Sequence, residues 1–262
     1  MNRLDMGKYS AYREMGKSCE LREITDKKVI WPNIGHVDIA DKSFRFRLLT
    51  RGDIDAAAEL WRASYPEVYG SVHEWILFPE EYPSRFALPE NWEKDATEKD
   101  HIMIVGEDLG LHCLVFATIL TKWDKNLHIE MSFVAIHPDF RKGRMSVRIW
   151  SEMALMYNWL KESGAEYVTV FCETWHNITQ YIWFKQMGWK VAGIFPGNYT
   201  RWAEGRLEYR ACTVHFYRFI NNGERHATMP KEWQLLPEIL ELWNCLEKIN
   251  QLSSEDGLEG SS

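Results

Sequence analysis

The sequence predicts a mixed α/β (α+β) fold built on one central sheet. Three observations carry that expectation. Apolar, β-rich runs at 101–105, 112–120 and 127–136 are separated only by short polar turns, the pattern of an antiparallel meander. Runs at 127–136, 167–172 and 189–195 then alternate with helical-period segments at 147–163 and 177–187, which makes strand–helix–strand units. Finally, 262 residues with 45% apolar and 26% charged side chains are ordinary globular composition and suffice for one large core.

Residues 1–43 lack a clear period and read as an N-terminal extension with strand character around Val29–Trp31. Phe44–Leu49 alternates, and Thr50-Arg51-Gly52-Asp53 opens an Ala-rich helix to Ser64 with Ile54, Ala57, Ala58 and Trp61 at helical spacing. The segment 65–100 carries Pro66, Pro79, Pro83, Pro89, Trp75 and Trp92 and is expected to be irregular, with one or two short helices. Gly106–Gly110 joins His101–Val105 to His112–Leu120 as a hairpin, and Trp123–Asn126 leads into Leu127–Ile136. His137-Pro138-Asp139 stops that strand, because proline cannot continue the ladder.

Helix Val147–Ser163 closes at Gly164, and helix Asn177–Met187 closes at Gly188. Strands Tyr167–Cys172, Trp189–Phe195 and Leu207–Phe219 complete the sheet. Residues 44–220 thus form the main domain. Residues 221–250 supply a final helix from Pro237 that turns Ile239, Leu242, Trp243 and Leu246 inward, and 251–262 a polar tail.

The formal charge of −7 argues against a nucleic-acid binder, which needs a basic face. No run of about 18 apolar residues is present, so no membrane span is expected. Met1–Glu20 is polar throughout, so no secretory signal is expected and a cytoplasmic location is. The five cysteines form no Cys-x-x-Cys, and Cys113, Cys172 and Cys212 sit in apolar runs where cysteine acts as a small buried hydrophobe. His128-Ile129-Glu130 has the His-x-Glu spacing of zinc deaminases, but no Pro-Cys-x-x-Cys follows, so no metal is expected.

The chemistry concentrates between Glu130 and Trp189. A strand ends at His137, a basic loop follows (Phe140-Arg141-Lys142-Gly143-Arg144-Met145-Ser146), and a helix begins at once. Orphan amides at such a helix start converge on one spot and favour an anion, for which a pyrophosphate is the natural guest. Glu130 stands among Ile129, Met131 and Phe133, surroundings that disfavour its charged form and suit it to take a proton near neutral pH. His128 and His137 are alternatives acting through water, although a histidine before Pro138 more often shapes a turn.

The run Val134-Ala135-Ile136-His137-Pro138-Asp139-Phe140-Arg141-Lys142-Gly143-Arg144-Met145-Ser146 resembles the central motif of the Gcn5-related N-acetyltransferase (GNAT) superfamily, a strand entering Arg/Gln-x-x-Gly-x-Gly/Ala and then a helix. Asn177 to Trp189 resembles the same family's second motif, an Asn opening a helix that ends in Gly-Phe. With the element order, the resemblance covers Phe44 to Phe219, about two-thirds of the chain. It implies a mostly antiparallel sheet with a splayed parallel pair, 127–136 and 167–172, and helices on both faces.

It further implies acetyl-CoA as co-substrate. Its pantetheine would pair with the backbone at Val134, Ala135 and Ile136, and its pyrophosphate would rest on the amides of Arg141, Lys142, Gly143, Arg144, Met145 and Ser146. Asn177 would approach from the opposite wall, and Glu130 lies eleven residues before Arg141, where some members place their base. Two departures stand out. Without a gap, the family's glycine positions fall on Arg144 and Ser146, and a one-residue shift brings Gly143 into the role. Phe184 occupies the place of the family's acid tyrosine, with Tyr181 three residues earlier on the same helix.

The expected activity is transfer of an acetyl group to a primary amine, on a small molecule or a protein lysine, with a homodimer compatible. The alternatives are a catalytically degenerate GNAT-fold protein that binds CoA or a protein partner, and transfer of another acyl group. Trp75 and Trp92 are expected to wall the acceptor side.

Overall fold

The computed structural model describes residues 19–39, 43–141 and 154–253. Eight strands form one sheet among them: β1 (His36–Ile39), β2 (Phe44–Leu48), β3 (His101–Asp108), β4 (Cys113–Trp123), β5 (His128–Ile136), β6 (Tyr167–Glu173), β7 (Lys190–Glu204) and β8 (Leu207–Phe219). Their spatial order is β1-β2-β3-β4-β5-β6-β8-β7. Every neighbouring pair is antiparallel except β5 with β6. The helices are α1 (Ile54–Ser64), α2 (Tyr82–Arg85), α3 (Trp92–Glu98), α4 (Ala154–Glu162), α5 (Ile178–Tyr181, widening into a π-turn over Ile182–Gln186) and α6 (Pro237–Asn250).

The central strands are buried on both faces, which is why their sequences read as unbroken apolar runs. Ile102 and Ile104 of β3 face one core with Phe116, Leu160, Trp183 and Trp189. Met103 and Val105 face the other with Ala57, Trp61, Ile76 and Phe86. Helices α4 and α5 cover the first face, and α1 with the turns of 65–88 cover the second. Trp61 is fully buried there, and its truncation to alanine would cost about 3–5 kcal/mol. Gly106 sits where β3 is pressed by two rings, since a Cβ would lie 2.9 Å from both Phe116 Cβ and Phe46 Cε1. No other residue fits that approach without displacing the core. At the end of α5, Gly188 adopts φ +65°, the left-handed stop expected from the sequence.

Several expectations need correction. Val29–Trp31 is not a strand. Val29 and Trp31 are buried in extended chain while Ile30 is exposed, and Lys122 Nζ donates to Val29 O at 2.7 Å, so core burial rather than sheet pairing explains the pattern. The strand before Phe44 is instead 36–39. The hairpin turns later than expected, because β3 runs on through Glu107 and Asp108 past a bulge. Strand β7 is fifteen residues rather than seven, carried past Pro196 by a bulge that an edge strand tolerates. Cys113 is exposed, while Cys172 is buried as expected.

Helix α6 does not turn its apolar stripe inward: Ile239 and Leu242 are 48% and 57% exposed. It is held at its end instead, where the Asn250 amide exchanges two hydrogen bonds with the Val191 backbone of the edge strand (2.8 and 3.1 Å). Trp243 packs against Trp233 at 4.7 Å. The start of the helix expected from Val147 and the tail after Ser253 lie outside the described residues.

Candidate active site

The site begins where the parallel pair comes apart. β5 and β6 pair only from His128↔Tyr167 to Met131↔Val170, yet β5 continues to Ile136 and β6 to Glu173. Ser132 marks the change. β4 pairs Ile119 with Phe133 and Leu120 with Met131, so Ser132 is an extra residue in β5, a bulge. After it, Val134 and Ile136 have no partner on the β6 side, and their side chains line a cleft of about 260 Å³. The opposite wall comes from Trp175, His176, Ile178 and Thr179, and the floor from Ser64, Tyr65 and Glu67 after α1.

The sequence-predicted binding residues meet this cleft unequally. Val134 and Ile136 line it, whereas the Ala135 side chain is buried on the other face against the α1 core. Arg141 lines it too, but its guanidinium is turned to the backbone: Nε donates to Ile136 O at 2.9 Å and Nη2 to Ser64 O at 2.7 Å. Arg141 therefore pins the end of α1 to the end of β5. Asn177 sits between two lining residues at the start of α5, with its side chain exposed and making no capping bond. Lys142, Gly143, Arg144, Met145 and Ser146 lie outside the described residues. Tyr181 is exposed and does not line the cleft, and Phe184 packs against the core.

Three buried polar atoms of the residues lining the cleft have no hydrogen-bond partner among the described residues, Glu67 Oε2, His176 Nδ1 and Thr179 Oγ1. Burial draws the His176 imidazole below its ordinary value, against the pull of Glu173. Trp175 stands at the rim, 66% exposed. Unsatisfied polar atoms behind an exposed aromatic rim fit a ligand that carries both amides and an apolar chain.

A second cavity, of about 610 Å³, opens beside the paired part of β5. Glu130, Ser132 and Phe133 line it from β5, Thr121 from β4, and His73, Trp75 and His101 from the other side. Burial pushes the Glu130 carboxyl above the usual glutamate range, and a hydrogen bond from Ser132 draws it part of the way back. Among the described residues Glu130 has no ion-pair partner. Burial also pushes the His73 and His101 imidazoles down to about 4, so both are neutral near pH 7.

Trp75 walls this cavity as expected, whereas Trp92 packs against the main core on the far side. His128 is hydrogen-bonded through Nε2 to Thr169 Oγ1 at 2.7 Å and stacked on Trp123. His137 shapes its turn, its Nδ1 accepting from the Asp139 amide at 3.3 Å.

Between cavity and cleft stands a buried wall that sequence reasoning did not find. The Phe133 ring meets His73 at 4.9 Å and Tyr65 at 6.0 Å. Tyr65 Oη donates to Glu173 Oε1 at 2.8 Å, and Arg201 donates to the same oxygen through Nε and Nη2 at 2.9 and 2.8 Å. The Arg201 guanidinium also lies over the Tyr199 ring at 4.9 Å. Burial, with Glu130 and Glu173 nearby, pushes the Tyr199 hydroxyl up to about 12 despite Arg201. These residues come from four separated segments and share no spacing. The one local signal was an arginine and a glutamate in strands otherwise built for a core. Among the described residues, no group of three or more His, Cys, Asp or Glu side chains is placed to hold a metal ion.

No protein-family model matches the sequence, and no curated protein matches it either. Solved structures do match in fold. A ribosomal-protein-S5-alanine acetyltransferase from Vibrio fischeri superposes with a TM-score of 0.54, over 71% of this chain and 97% of its own, at 9% identity. A probable acetyltransferase of the GNAT family from Chromobacterium violaceum gives 0.50 over 78% and 96%, at 12% identity. An eight-stranded mixed sheet with one splayed parallel pair and a cleft at the splay is therefore an architecture shared with these solved structures. In particular, the chain has the fold of the GNAT N-acetyltransferases.

Proposed function

We propose that the chain is an acetyl-CoA-dependent N-acetyltransferase acting on a primary amine, of a small molecule or a protein lysine, in the cytoplasm. The observation that carries this reading is the splay itself: β5 leaves its parallel partner at Met131, one residue after Glu130, and opens the cleft lined by Val134 and Ile136. The free edge of β5 would take the pantetheine amides as an added strand. Residues 142–146, read from the sequence as a basic loop, would meet the pyrophosphate.

The neutral amine attacks the thioester carbonyl. A strand-end amide at Val134–Ile136 stabilises the oxyanion, and the C–S bond breaks with its electron pair leaving on sulfur. Glu130 takes the proton from nitrogen, a task that its raised affinity for protons suits. Holding both substrates about one splay supplies the remaining advantage.

Calorimetry with acetyl-CoA, followed by turnover against a panel of primary amines, tests the reading. Binding and amine-dependent release of CoA are expected. Glu130→Gln should lower kcat about 10²–10⁴-fold with acetyl-CoA affinity unchanged. Absence of binding overturns the proposal, and binding without turnover on any amine leaves the degenerate CoA binder in its place.

A further inference from the structure

Strands β3, β4 and β5 place three polar residues in one line across the sheet. His101 is in register with Thr121, and Thr121 is in register with Glu130. The bulge brings Ser132 into the same line. His101 Nδ1 lies 2.9 Å from Thr121 Oγ1, Thr121 Oγ1 lies 2.7 Å from Ser132 Oγ, and Glu130, the register partner of Thr121, stands beside Ser132. All four line the same cavity. Ser132, Thr121 and His101 are thus a hydrogen-bonded chain of exchangeable protons that runs from beside the candidate base to an imidazole.

We propose that Ser132, Thr121 and His101 form a proton relay that empties Glu130 after each turnover. The inference rests on the acetyltransferase reading and deepens it. Glu130, having gained the amine proton, passes it to Ser132 Oγ. The Ser132 proton moves to Thr121 Oγ1, and the Thr121 proton to His101 Nδ1. His101 then releases its Nε2 proton to water, the CoA thiolate takes a proton from water as it leaves, and rotation of the two hydroxyls and of the imidazole restores the starting state. A hydroxyl can accept one proton while giving another, which is what the two middle positions require.

The surroundings suit the task. Trp75 lies 5.2 Å from the His101 ring and Phe86 6.1 Å, apolar surroundings that keep the imidazole neutral until a proton arrives. Asp100 and Arg85 act on His101 in opposite senses. Tyr199 and His73 face the Glu130 side, and the Lys122 ammonium is occupied by the carbonyls of Val29, Ala96 and Thr97. Asp124 lines the far end of the cavity, 3.7 Å from Lys122 Nζ. Cross-strand hydroxyl pairs are common in sheets, but a purely structural pair would not need a histidine at one end and a carboxylate at the other.

Thr121→Val keeps the shape and the strand propensity while removing the hydroxyl. It should lower kcat about tenfold and leave the KM for acetyl-CoA unchanged, while Thr121→Ser restores the rate. The basic limb of the kcat profile should move in Thr121→Val, which a packing role would not cause. Wild-type kcat in Thr121→Val overturns the relay.

A second arm needs no turnover. Glu130→Gln should shift the ¹⁵N signal of His101 Nδ1, and the shift should vanish in the Thr121→Val background. If the wild-type chain acetylates no amine, the acetyltransferase reading fails by itself. The relay fails separately if His101 ignores Glu130→Gln.

Discussion

The two hollows on either side of Phe133 differ in how their polar groups are satisfied. Around Glu130 they bond to one another: serine, threonine and histidine form one chain beside the carboxylate, with His73 Nδ1 left over. In the cleft beyond the bulge they are left waiting: Glu67 Oε2, His176 Nδ1 and Thr179 Oγ1 are buried without partners, and the strand edge at Val134 and Ile136 is unpaired on the β6 side. A group satisfied internally is one the protein uses by itself, whereas an orphan marks a place reserved for something else. On the proposed reading, one inserted residue, Ser132, separates proton handling from ligand binding on a single strand.

The wall between the hollows offers the strongest way to break that contrast. Glu173 is buried and takes both Arg201 bonds and the Tyr65 hydroxyl on one oxygen. Arg201→Leu leaves that carboxylate uncompensated and should cost about 3–5 kcal/mol of stability, read as a lowered denaturant midpoint. A loss below about 1 kcal/mol would mean that the wall is held by its rings alone. A double variant with Glu173→Gln should recover much of the loss, since the charge is then gone.

That wall also shows what the sequence could and could not disclose. The β5 strand and the helix opening at Asn177 were legible, because each depends on periodicity or on residues close in the chain, whereas the splay was expected only through the family resemblance. Ser132 was not. A bulge is a two-strand property, and a serine inside an apolar run looks like one more alternating position until its neighbour's register is known. Tyr65, Glu173 and Arg201 were invisible for a related reason: their bond spans 108 residues in one direction and 28 in the other. The α6 stripe misled because apolar periodicity reports a helix and not which way it faces; here one amide, Asn250, fixes the attachment.

Acid should sharpen the contrast next. Burial holds the His73, His101 and His128 imidazoles at about 4 in the folded chain, below the ordinary value near 6.5. Between those values the unfolded chain binds more protons, so stability falls as pH drops from about 6.5 to about 4 and is fully present above that window. A fall in Tm of roughly 5–10 °C across it is expected by scanning calorimetry. His101→Gln should flatten the fall, because it removes one of the three groups. An unchanged slope in that variant would show that the imidazole on the relay is not held neutral by its surroundings.

The smallest effect belongs to the cleft. Trp175 is largely exposed at its rim, so Trp175→Ala should change folding stability by no more than about 0.5 kcal/mol. If the cleft is where the pantetheine lies, the same substitution removes an apolar rim that a bound chain would cover, and acetyl-CoA affinity should weaken about five- to tenfold, on the order of 1 kcal/mol. The Glu130-dependent limb of the pH profile should stay where it is, since Trp175 touches nothing in the cavity. Loss of affinity without a shift of that limb would confirm that the two hollows act separately. A shifted limb would instead mean that they communicate through Tyr65 and Phe133, the two rings that meet at 6.0 Å between them.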